Sequence, residues 1–100
     1  MTTPPRRHWF SLRTPKTSRI GISNSRKVPL VVAVEPWAND YTLLPGEELQ
    51  VVAIGTDKSP WFEVVEWDEA CQVYCNDADS FRVTQNGVEL QCGHNRQPTG

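Results

Sequence analysis

Residues 81–92, FRVTQNGVELQC, decide the fold class. Phe81–Thr84 and Val88–Cys92 alternate apolar and polar residues on either side of Gln85-Asn86-Gly87. Asn-Gly between two such runs is the strongest short-range signal for a β-hairpin, because both residues tolerate the positive φ of a type I′ turn. Phe81 and Val83 should share one surface with Val88, Leu90 and Cys92, since side chains two apart on a strand point the same way.

The same grammar extends towards the N-terminus. Trp61–Trp67 (WFEVVEW) reads as a strand, with Trp61, Glu63, Val65 and Trp67 on one face and Phe62, Val64 and Glu66 on the other. Its carboxylates, with Asp68 and Glu69, suit a charged edge strand that resists edge-to-edge aggregation. Glu47–Gly55 (EELQVVAIG) and Val28–Val34 (VPLVVAV) are β-branched and bounded by turn formers, so both read as strands. Pro29 cannot donate a ladder hydrogen bond and belongs at a strand start or edge. Tyr41–Leu44 is a short extended piece between Ala38-Asn39-Asp40 and Pro45-Gly46, two clusters of turn chemistry. Ala70–Cys75 reads as a further strand; a short helix over Asp68–Cys75 with Asp68 as N-cap is its rival.

These pieces, spaced about ten residues apart with little helical periodicity, predict an all-β chain: a small antiparallel β-sandwich of five to seven short strands. Its expected core is Leu30, Val32, Val34, Leu49, Val51, Val73, Phe81, Val83, Val88 and Leu90.

Charge divides the chain. Residues 1–27 hold seven of the ten basic residues and no acid, whereas residues 28–100 hold the other three and all twelve acids, so the two parts carry +7 and −9 within a total of −2. The first part mixes Pro, Ser, Thr, Arg and Lys with scattered apolar residues. Such a segment cannot offset its ordering entropy by burial. The expectation is a disordered basic arm over 1–27, a folded domain over 28–93 and a frayed tail over 94–100. Arg6, Arg7, Trp9 and Arg13 would supply the arm's contacts, the cations to phosphate and the ring to a base, which makes nucleic acid a possible partner. The acidic body would repel phosphate.

Other features narrow the functional classes. The longest apolar stretch, Val28–Val34, is far short of the ~20 residues a spanning helix requires, so no membrane partner is expected. The basic N-terminal stretch has no apolar h-region, and three cysteines are an odd set for a disulfide framework, which together imply reduced thiols in a cytoplasmic protein. Cys71, Cys75, Cys92 and His94 form the set closest to a metal site, as C-x3-C followed by C-x-H. On a strand, however, Cys71 and Cys75 stand about 13 Å apart, too far to share an ion. No cofactor is expected, and the four residues define the alternative reading as a metal-binding or thiol protein. Walker A, G-x-G-x-x-G and G-x-S-x-G motifs are absent from the sequence. Four Trp in 100 residues raise the question of an aromatic site. Large rings can plug the ends of a small sandwich or, when exposed, anchor a sugar or a peptide. Trp37 and Tyr41, in adjoining loops, are the first choice for a ligand-binding surface at one end of the sandwich.

The stretch NSRKVPLVVAVEPWANDYTLLPGEELQVVA (24–53), with the later W-F-E-V and N-G-V-E-L, resembles a family of small uncharacterised bacterial proteins in which E-P-W precedes Y-x-L-x-P-G-E. The resemblance implies a β fold and no particular activity. The Tyr41–Gly46 turn, the Trp-bearing strand and the Asn-Gly hairpin also resemble the β-domain of the von Hippel–Lindau family, a sandwich that binds a peptide. The turn is one residue shorter here, and the hydroxyproline pocket has no counterpart, so no binding residues carry over. The expected function is a non-enzymatic module for an unidentified protein or ligand, of undetermined oligomeric state.

Overall fold

Asn86 and Gly87 take φ of 51° and 79°, and around them β7 (Ser80–Gln85) and β8 (Val88–Glu89) form the expected hairpin, with Gln85 opposite Val88. A computed structural model describes residues 15–96. The remaining strands are β1 (Lys16–Ser23), β2 (Leu30–Glu35), β3 (Asn39–Leu43), β4 (Glu48–Gly55), β5 (Trp61–Glu66) and β6 (Ala70–Asn76), and no helix occurs among the described residues. They form two four-stranded sheets, β1-β4-β7-β8 and β3-β2-β6-β5.

All pairings are antiparallel except β2 with β6, which is parallel and places Val32 beside Cys71 and Val34 beside Val73. The antiparallel sandwich is therefore mixed in its second sheet. Chain order explains this. β5 and β6 form a hairpin, β2 and β3 form another, and the two hairpins meet along β2 and β6 in the same sense. Ala70–Cys75 is strand and not helix, so its alternate residues Cys71, Val73 and Cys75 all enter the core.

The sheets bury one core. Leu30, Val32, Val34, Leu49, Val51, Val73 and Val83 are in it as expected, joined by Tyr41, Leu43, Ala53, Cys71 and Cys75. Phe81 and Leu90 are half-buried against it. Val88, expected in the core, is instead at the surface, 65% exposed, at the hairpin turn where β8 begins.

Two boundaries move. The body begins at Lys16, not Val28: β1 pairs with the whole of β4, from Lys16 opposite Gly55 to Ser23 opposite Glu48. It turns Ile20 and Ile22 inward and Arg19 outward. With β1, the strands number eight, beyond the five to seven expected. At the other end, residues 93–96 are tied to β3. Gly93 N donates to Asp40 O (2.7 Å), and Thr42 N donates to His94 O (2.8 Å). Residues 1–14 and 97–100 lie outside the described residues, and with them the expected contacts Arg6, Arg7, Trp9 and Arg13.

Candidate functional site

Neither Trp37 nor Tyr41, the residues expected to carry a ligand surface, is exposed. Tyr41 is 3% exposed and belongs to the core, because the Asn39-Asp40 turn chemistry opens β3 instead of a loop. Burial raises the pKa of its phenol. Trp37 is half-buried and meets Phe81 at a centroid distance of 4.4 Å, plugging that end of the sandwich.

Nor do Cys71, Cys75, Cys92 and His94 come together. Cys71 and Cys75 lie in the core on β6, while Cys92 is exposed near β3, its Sγ 3.7 Å from Asp40 Oδ1. His94 bridges to Tyr41, and its buried Nε2 has no hydrogen-bond partner among the described residues. Among the described residues, no three His, Cys, Asp or Glu side chains are grouped to hold a metal ion. Arg96 donates to both carboxylate oxygens of Asp40, which holds the Asp40 carboxyl below the usual range against the opposing effect of its partial burial.

Burial pushes the Cys75 thiol from its ordinary 9.0 up to about 11 and also raises Cys71, with Glu66 adding to the latter. Only thiolates attack alkylating reagents. One thiol, Cys92, should therefore react with iodoacetamide in the native protein, and the other two only on unfolding. A second fast thiol would mean that β6 is exposed. A folded pKa above the unfolded one favours the fold fully below about 9. That contribution drains away as pH rises towards 11, so alkaline unfolding should start in that interval.

The exposed aromatic rings are elsewhere, on β5 and its hairpin. Trp61 is 52% and Trp67 58% exposed, and Val64 and Val65 lie open between them. Trp61, Glu63, Val65 and Trp67 share one face, as their alternation predicted, and the structure turns that face outwards. Both indoles are pinned: Trp61 Nε1 donates to Asp77 Oδ2 (3.1 Å) and Trp67 Nε1 to Gln72 Oε1 (3.1 Å). Gln72 Nε2 in turn donates to Glu35 Oε2 (3.2 Å), and Asn76 Nδ2 to Glu63 Oε1 (3.0 Å). The rings are thus held before any ligand arrives, which lowers the entropy lost on binding.

β5 is also an edge strand. Trp67 N donates to Ala70 O (2.7 Å), so Trp67 and Ala70 close the hairpin as a hydrogen-bonded pair. Antiparallel pairs alternate, so Val65–Gln72, Glu63–Tyr74 and Trp61–Asn76 are hydrogen-bonded pairs as well. The N–H and C=O groups of Phe62, Val64 and Glu66 then point away from the sheet. Among the described residues they form a free edge three residues long, flanked by the two pinned Trp. The sequence showed the shared face of Trp61 and Trp67 and the charged edge; the hairpin register, which decides which backbone groups are free, required the pairing.

Among the described residues this geometry defines a class: an eight-stranded β-sandwich with an aromatic-flanked acidic edge at β5. No family model, no curated protein and no solved structure matches the chain. Among the described residues, no helix is long and apolar enough to cross a membrane.

Proposed function

We propose that this chain is a non-enzymatic interaction module that takes an extended basic peptide segment along the edge of β5. The observation that carries this reading is the free edge at Phe62, Val64 and Glu66 between two immobilised, exposed indoles. An added strand satisfies those backbone groups and is selected by side-chain contacts on alternate residues. Glu63, Glu66, Asp68 and Glu69 give the edge its charge, with Arg26 the nearby cation, its guanidinium donating to Trp67 O (3.0 Å). Acidic charge selects Lys and Arg, which the indole faces also attract. Trp61 and Trp67 are six residues apart, about 20 Å along a strand, which six or seven peptide residues span. The von Hippel–Lindau likeness, a peptide-binding sandwich, points the same way.

The test is a titration of ¹⁵N-labelled protein with an alternating Lys/Val octapeptide and its Glu/Val counterpart. The basic peptide should shift the amides of Phe62, Val64 and Glu66, and the acidic one should not. Trp61→Ala and Trp67→Ala should each weaken binding roughly tenfold. Val64→Pro, which removes an outward N–H, should abolish binding while leaving the fold intact, because proline is tolerated on an edge. Equal binding of both peptides, or shifts confined to other strands, would sink the proposal.

A further inference from the structure

Arginine 19 and arginine 82 are 63 positions apart in sequence and stand in one row of the first sheet. Arg19 pairs with Val52, and Val52 pairs with Arg82 on its other side. All three side chains therefore point to the outer face, opposite the core. Two strand spacings separate the arginines, about 10 Å between Cα atoms, so both guanidinium groups can turn onto one ligand above Val52. Neither arginine has an ion-pair or hydrogen-bond partner among the described residues. Val52 is only 2% exposed despite its outward position. Val52 thus lies between the two arginines as an apolar residue flanked by two cationic ones.

The row belongs to an open depression of about 500 Å³. Gln50 and Thr84 line its next row, which Gly21 completes on β1. The acids nearest are Glu48, whose Oε1 lies 3.0 Å from where a Gly21 Cβ would stand, and Glu89 opposite Thr84.

We infer that Arg19 and Arg82 form a binding site for a single tetrahedral oxyanion, the phosphate or sulfate group of a small ester, seated above Val52. Each guanidinium is a rigid fork of donors that pairs bidentately with such oxygens. One fork satisfies a carboxylate, whereas two opposed forks match the larger set of oxygens on phosphorus or sulfur. Glu48 and Glu89, and the net −5 of residues 15–96 (seven Lys and Arg against twelve Asp and Glu), oppose an extended polyanion and restrict the site to one compact group. The site lies on the other sheet from the β5 edge and does not depend on the peptide proposal.

The probes are inorganic phosphate and sulfate, titrated against chloride at constant ionic strength with ¹H–¹⁵N spectra as readout. Saturable shifts should appear at the amides of Arg19, Val52, Arg82 and Thr84 with either oxyanion and not with chloride. Arg19→Gln and Arg82→Gln should each raise Kd roughly tenfold or more, as expected for losing a charged hydrogen-bond pair, and the double variant should lose saturation. Arg96→Gln, at a cation already paired with Asp40, should leave Kd unchanged. Both changed arginines are exposed, so the spectra should stay dispersed. Phenyl phosphate and phenyl sulfate then distinguish the two esters, and preference for either upholds the site. Shifts shared with chloride, or binding retained by the double variant, would overturn it.

Discussion

Asn24→Asp should unfold most of the protein at neutral pH and regain part of its stability on mild acidification. Asn24 is 1% exposed and follows β1. Its Nδ2 donates to Val28 O and Leu43 O, both at 2.9 Å, and its Oδ1 accepts from Arg26 N at 2.9 Å. Its backbone N donates to Glu47 O, and its O accepts from Gly46 N. One residue thus ties the end of β1, the loop into β2 and the end of β3 through its side chain, and the turn before β4 through its backbone. In Asp, an oxygen replaces Nδ2 and faces two carbonyl oxygens. Each buried group left unpaired costs about 1–3 kcal/mol, and a buried charge adds to that. A domain of this size has a total stability of only roughly 5–10 kcal/mol.

The pH sign follows from the same contacts. A protonated carboxyl can donate to one of the two carbonyls and carries no buried charge. Stability lost at neutral pH therefore returns as the group protonates, opposite to ordinary acid denaturation. Urea midpoints of variant and parent at neutral and mildly acidic pH are the measurement; an unchanged midpoint at neutral pH would show that the hub is dispensable. Asn24→Ala should lose roughly 3 kcal/mol, with no such recovery in acid. The hub also bears on the proposed function. Asn24 Oδ1 fixes the backbone of Arg26, whose guanidinium holds the Trp67 carbonyl at one end of the β5 edge.

Local signals carried the strands whose chemistry is local. The Asn86-Gly87 hairpin and the runs around β2, β4, β5 and β6 lie close to where turn residues and alternation put them. β1 was lost in a basic stretch because only Ile20 and Ile22 mark its inner face; the Ile-Gly-Ile alternation was the available clue. Asn24 sits in a Ser/Asn-rich link that reads as turn chemistry. Its burial depends on Leu43 and Glu47, about twenty residues later, which no local pattern contains. The parallel β2–β6 pairing and the Arg19–Val52–Arg82 row are equally non-local. Tyr41 shows the reverse error: the polar residues before it suggested a loop, although Tyr41 and Leu43 keep the period of two that places both in the core. The exposed Trp pair was legible as one face of a strand, but its accessibility was not, since either face of β5 could have been the buried one.

Gly55→Ala should destabilise the protein by about 3 kcal/mol, several times the effect of Gly87→Ala. The reason is space and not backbone angle. A Cβ on Gly55 would stand 2.4 Å from Lys58 O and 2.8 Å from Asp77 O, with Pro60 Cγ at 3.2 Å. Two backbone segments would have to retreat, and overpacking of this kind costs roughly 1–3 kcal/mol or more. At Gly87 nothing lies within 4 Å, and only its φ of +79° penalises a side chain, by about 1 kcal/mol. The segments around Gly55 cannot retreat independently. Thr56 N and Oγ1 both donate to Asp79 Oδ2, Asp79 N donates to Ile54 O, and Ser18 Oγ donates to Pro60 O. Asp77, pressed against Gly55, is the residue that pins Trp61. The substitution should therefore shift Trp61 fluorescence and weaken peptide docking at that end of β5, while contacts at Trp67 persist. Urea midpoints of the two glycine variants, read by indole fluorescence, decide the matter. If Gly55→Ala is no less stable than Gly87→Ala, the 56–60 loop yields easily, and Trp61 is then too loosely braced to serve as a fixed anchor for a partner strand.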